Sequence, residues 1–146
     1  MTNFLHTGAS AELTRTFTEE DVNFFSQVSG DTNPLHLDES YAKTSVFGSR
    51  VVHGALINAM FSNILGNTLP GEGSIYCKQD SSFVKPVFIG ETIHANVVVR
   101  EIIESKNRVI LDTIATNDKG ETVVKGSALM LYPWLNKGGS DNGTRD

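Results

Sequence analysis

The chain has 146 residues, 39% of them hydrophobic and 20% charged, and carries a net charge of −5 at pH 7. That length suits one domain burying its own apolar core without disulfides or a structural metal, and the composition excludes a disordered or membrane-spanning class. Lysines and arginines are scattered without a basic stripe, which excludes nucleic acid as the expected partner; a few lysines at a pocket mouth still suffice for a small phosphorylated ligand.

The first twenty residues lack a basic segment followed by an apolar one, so no secretion signal is expected. Thr18 followed by Asp21 makes a capping box, and Val22, Phe25 and Val28 recur at helical spacing up to Gly30. A first helix is expected there. In the next stretch, GDTNPLHLD, the residues Gly30, Asp31, Asn33 and Pro34 are turn formers, and Pro34 pushes Asn33 off helical angles, so a loop is expected. Asp38 can cap a short helix through Tyr41 and Ala42, which Gly48 breaks.

From Val52 to Leu65 the sequence is apolar on nearly every side, with Gly66 placed to end it, the pattern of a central helix enclosed by other structure. Interruptions at His53, Asn58, Ser62 and Asn63 keep this run from reading as a bilayer span, so no membrane association is expected. Strands are expected at Ser74 to Val84, Thr92 to Arg100, Val109 to Thr116 and Thr122 to Leu131, with turns at Lys106-Asn107 and Asp118-Lys119-Gly120. Cys77, the single cysteine, excludes an internal disulfide and a multi-cysteine metal site; it reads as a structural thiol and fits a reducing, cytoplasmic setting. One domain is expected over residues 1–133, with a disordered tail over 134–146, where apolar periodicity stops. One buried helix followed by short-connected strands implies an α+β fold, a curved antiparallel β-sheet wrapped around that helix.

Asp31 and His36 lie five apart across the proline-containing loop and form a candidate acid/base unit; the competing reading is an Asx turn beside a partly buried polar residue. Gly54, Asn58 and Ser62 follow at four-residue intervals, a small polar stripe that either bonds within the protein or faces a wet pocket. Gly54 falls in the first turn of the helix, where free backbone N–H groups and the helix dipole suit an oxyanion, although a glycine there also permits close packing. His53 beside it is read as a packing or capping residue. Leu65, one turn beyond Ser62, and Met130 are candidates for lining a pocket, and no zinc or phosphate-loop spacing is present, so no metal is expected.

Three segments in order, SGDTNPLHLDESYA, VVHGALINAMFS and SSFVKPVFIGETI, resemble the MaoC-like, hydratase-2 group of hot dog-fold proteins over about Phe17 to Pro133. Within that group the chain looks especially like the short bacterial (R)-specific enoyl-CoA hydratases that supply polyhydroxyalkanoate synthesis. The resemblance implies a homodimer, an acyl-CoA thioester as substrate, and no cofactor. It implies Asp31 and His36 as the catalytic pair, Ser62 as an active-site serine, the Gly54 amide as carbonyl donor, and Asn33 as a residue that positions the motif. Those assignments imply syn addition of water to a trans-2-enoyl-CoA, giving the (R)-3-hydroxyacyl thioester. Rival readings are a 3-hydroxyacyl dehydratase acting on carrier-protein thioesters, a hot dog thioesterase, and a silent thioester-binding module. No Asp or Glu lies between Val51 and Leu69, which disfavours enzymes that carry their acid on the helix. Retention of Asp31 and His36 disfavours the silent module.

Overall fold

A computed structural model describes residues 4–135 and begins its regular structure with a strand that the sequence reading does not anticipate, β1 (Ser10–Thr16). Its partly buried residues Ala11 and Leu13 are separated by Glu12 and followed by Thr14, Arg15 and Thr16, too polar a pattern to announce a strand. Helix α1 (Glu19–Ser29) follows, opened by the Thr18–Asp21 capping box and closed by Gly30 at φ 79°. Helical spacing points Val28 inward, yet Val28 is 71% exposed and the polar Ser26 is buried beside Val22. Ser26 has a partner inside, which is the physical reason for the difference.

The expected loop contains a single helical turn, α2 (Pro34–Leu37), because Asn33 accepts from Leu35 N–H as a cap and Pro34 supplies a first-turn φ at no loss of a donor. Asp38 then caps α3 (Glu39–Lys43). The long helix α4 runs over Gly54–Asn67, one residue past Gly66. It is half-enclosed in the single chain: Ile57, Met60, Phe61, Ile64 and Leu65 are buried, whereas Ala55, Ala59, Ser62 and Asn63 are exposed. Small and polar residues at four-residue intervals account for that open side.

Strands β2 (Ile75–Phe83), β3 (Thr92–Ile103), β4 (Arg108–Asn117) and β5 (Thr122–Leu131) complete one antiparallel sheet in the order β1-β3-β4-β5-β2. Strict alternation on β3 buries Ile93, Ala95, Val97 and Val99; on β4, Val109, Leu111 and Ala115 face the same core. The β3–β4 turn passes through Asn107 at φ 56°, a left-handed position that asparagine tolerates. That inner sheet face packs on the buried face of α4. The result is the α+β, hot dog-type arrangement expected from the sequence. Trp134 and Leu135 pack against the same core, so ordered structure runs past the expected boundary at 133; the rest of the expected tail, 136–146, lies outside the described residues. Among the described residues no helix is long and apolar enough to cross a membrane.

Candidate active site

Between the end of α1 and the start of α4 the backbone is held by its own side chains. Ser29 Oγ donates to Phe25 O at 2.7 Å and accepts from Asp31 N–H at 3.0 Å. Asp31 Oδ1 in turn accepts from Asn33 N–H at 3.2 Å, an Asx turn that orients the carboxylate. The Asx turn, one of the two competing readings from sequence alone, is thus present at Asp31, and it is geometrically compatible with the acid/base reading. Asn33 is the cap of α2, a positioning task compatible with its expected role.

His36 stands in α2, half-buried, and its Nδ1 lies 2.7 Å from Val51 O. A carbonyl only accepts, so Nδ1 carries the proton; in the neutral ring Nε2 therefore presents a lone pair. Arg50 braces the same turn: its Nε donates to His36 O at 2.6 Å, a terminal nitrogen donates to Asn23 Oδ1 at 3.0 Å, and Glu19 lies 3.5 Å away. One guanidinium thereby ties α1 to α2.

His53 precedes α4 and is 2% exposed. Its side chain makes no cap bond to the helix. Its ring stacks on His36 with centroids 3.8 Å apart and planes 24° from parallel, and meets the edge of Phe25 at 4.8 Å. Nε2 lies 3.1 Å from the buried Ser26 Oγ and 3.4 Å from Asp31 O, whereas Nδ1 has no hydrogen-bond partner among the described residues. Burial holds this imidazole below the ordinary histidine range, and the neighbouring His36 pushes in the same direction against Asp31.

Asp31, His36 and His53 bring a carboxylate oxygen and two ring nitrogens within 4.8 Å of one another. A metal bonded to both rings at roughly 2 Å needs their lone pairs to converge on one point. Stacked, nearly parallel rings direct them along separate planes, so the arrangement is better suited to a water held between the carboxylate and one imidazole.

Beside His36 opens a cleft of about 540 Å³ whose wall includes Val52, Gly54, Asn58, Phe83 and Lys85. Gly54 opens α4, so its N–H comes before the first helical donors, Leu56 and Ile57, which bond to His53 O. A Cβ there would meet Phe83 Cε1 at 2.7 Å, so the ring of β2 lies against the glycine and close packing is part of its role. Asn58 accepts from Ser81 Oγ at 3.0 Å, which gives the polar stripe one internal partner as well as one wet neighbour. Ser62 continues the stripe on the exposed side and does not border this cleft. Leu65 and Met130, expected as pocket lining, are buried to 0% and 1% exposure in the core and do not border it either: Leu65 shares the inner face of α4 with Phe61, and Met130 points inward from β5. Sequence reading misses Ser26, Arg50 and Val51, because a serine, an arginine and a backbone carbonyl carry no signal of such contacts.

The family described as MaoC like domain matches residues 2–120. An (R)-specific enoyl-CoA hydratase of Rhodospirillum rubrum is 41% identical over 126 residues, covering 86% of this chain and 87% of that protein. Another, from Aeromonas caviae, is 40% identical over 129 residues, with 88% and 96% covered. A solved structure, the (R)-hydratase from A. caviae involved in PHA biosynthesis, superposes with a TM-score of 0.87 at 40% identity over 90% of this chain and 99% of that one.

Proposed function

This chain belongs to the MaoC-like domain family, and from that premise we infer that it is an (R)-specific enoyl-CoA hydratase, a hydro-lyase that adds water to trans-2-enoyl-CoA. The observation that carries the mechanism is the approach of the Asp31 carboxylate and the His36 ring at the amino end of α4, with His36 bordering the cleft.

In this reading the Gly54 N–H polarises the thioester carbonyl, drawing charge from C3 and stabilising the enolate oxygen as it forms. Asp31 and the Nε2 lone pair of His36 hold one water between them. As the water oxygen bonds to C3, it gives up a proton to this pair, and a proton returns to C2 on the same face. The sum is one H–OH across one double bond, with (R) configuration at C3. Ser62 is proposed as a substrate contact because it extends the Gly54–Asn58 stripe by one turn.

A homodimer is proposed on the exposed edge of the sheet. β2 pairs with β5 on one side, and Ile75, Phe83 and the adjoining Val84 are each about half exposed, the character of a strand awaiting another strand. Purified protein should lower the ultraviolet enoyl absorbance of crotonyl-CoA to its equilibrium level, and Asp31→Asn or His36→Gln should stop that loss. Hydration of carrier-protein thioesters alone would reassign the substrate, and no hydration at any chain length would overturn the reading.

A further inference from the structure

His53 takes no part in the proton transfers just described, yet it is the most enclosed ionisable group near them. We propose that His53 is a positioning residue, whose buried ring fixes the plane of the His36 imidazole while its Nε2 ties the Asp31 loop to α1. The inference deepens the hydratase reading and rests on it wherever activity is the readout.

His36 rides on a helix of a single turn, which cannot hold a side chain rigidly by itself. Its hydrogen bond to Val51 O fixes one point of the ring; a face contact at 3.8 Å fixes the plane. His53 can serve as that backing only if it does not move, and burial at 2% exposure with Phe25 against its other contacts ensures this. Its tautomer follows from its partners. Asp31 O can only accept and Ser26 Oγ can do either, so Nε2 carries the proton and Nδ1 keeps a bare lone pair. An unmatched buried lone pair is a standing penalty of folding, tolerated here in exchange for a ring that stacks on one side and hydrogen-bonds at its tip. Asp31 and His36 are the ionisable groups that face it, while Phe25 and Ser26 from α1 are uncharged. A neutral His53 beside His36 adds no second positive charge when His36 accepts the proton from water.

The test compares three variants by crotonyl-CoA hydration, melting temperature and proton NMR of the imidazole N–H groups. His53→Ala should lower kcat by roughly 10- to 100-fold with KM within about threefold, and should remove the His36 Nδ1–H resonance that the bond to Val51 O is expected to protect from exchange in the wild type. His53→Phe combined with Ser26→Ala, which removes the hydroxyl that a larger ring would meet, restores a stacking face and should raise kcat clearly above the alanine level, the shortfall from wild type reporting the lost Nε2 tie. His53→Gln keeps a polar tip without a ring and should stay near the alanine level. Each active variant should lower the height of the kcat/KM profile against pH without changing its shape; loss of a limb would make His53 a proton relay and overturn the proposal. Full recovery in His53→Gln with none in the ring variant would overturn it too, as would an unchanged kcat and resonance in His53→Ala. If His53→Ala does not fold, the other two variants decide. Should the wild type hydrate no enoyl thioester of any chain length, the hydratase reading fails, and the His36 resonance still decides the inference: its loss in His53→Ala supports positioning and its persistence refutes it.

Discussion

Around His36 and His53 the chain supplies hydrogen bonds and a ring stack from within, whereas along β2 and the adjoining Val84 it leaves Ile75 51%, Phe83 54% and Val84 49% exposed to water. The first region is braced by Arg50, Ser26 and a backbone carbonyl; the second is apolar surface at an unpaired strand edge. The contrast teaches that the proposed reacting groups are held by contacts within one chain, while the β2 edge of the sheet leaves apolar side chains uncovered by that chain.

The sharpest test of that division is to remove the chemistry and leave the frame. Asp31→Asn and His36→Gln should each lower crotonyl-CoA hydration by roughly 10²- to 10⁴-fold, with a melting temperature close to that of the wild type. A large drop in melting temperature would merge the two regions into one structural unit. Next in size is the core that supports both. Phe61, fully buried on α4, should lose about 3–5 kcal/mol of stability on replacement by alanine, measured by denaturant unfolding, with little change in kcat per folded molecule.

At the sheet edge, Ile75→Lys together with Val84→Lys should weaken self-association by about tenfold or more in sedimentation while leaving the chain folded, since both side chains already meet solvent. An unchanged oligomer would move the interface elsewhere. A smaller effect is expected at the α1 cap, where Thr18→Ala should reduce stability by about 1 kcal/mol.

The finest effect is one of pH. Burial lowers the His53 pKa, so the unfolded chain takes up a proton that the folded chain refuses, and stability is lost as pH falls through about 6.5 towards the folded value. Asp21 is held below its ordinary value of 3.8, chiefly by its hydrogen bond from the Thr18 backbone, so its contribution is present above 3.8 and disappears only as pH falls further. Melting temperature against pH should show the first loss in the wild type and a shallower one in the His53→Phe, Ser26→Ala protein.

The same contrast separates what could be read in the sequence from what could not. β4 and the first eight residues of β3 alternate strictly because one face is buried there, and that period is visible in the residues themselves. α4 was legible as a helix, but its apolar composition concealed an open side of Ala55, Ala59 and Ser62, since burial depends on what stands opposite. β1 escaped notice because only two of its side chains turn inward, and α2 because four residues carry no period. At the site, Asp31 and His36 could be named from a loop motif. The stacked His53 could not be given its place, because its contacts with Ser26 and His36 span 27 residues in one case and join two short segments in the other. Leu65 and Met130 show the opposite hazard: periodicity identifies an inward direction without distinguishing a pocket from a core.

Phe83 belongs to both regions, since it ends the outer strand and its ring rests against Gly54 at the wall of the cleft. Whatever docks along that strand therefore bears on the ring and through it on the space offered to the thioester. Turnover per subunit should then vary with dilution: an enzyme thinned below its dissociation constant would change in KM while its fold, monitored by circular dichroism, stayed the same.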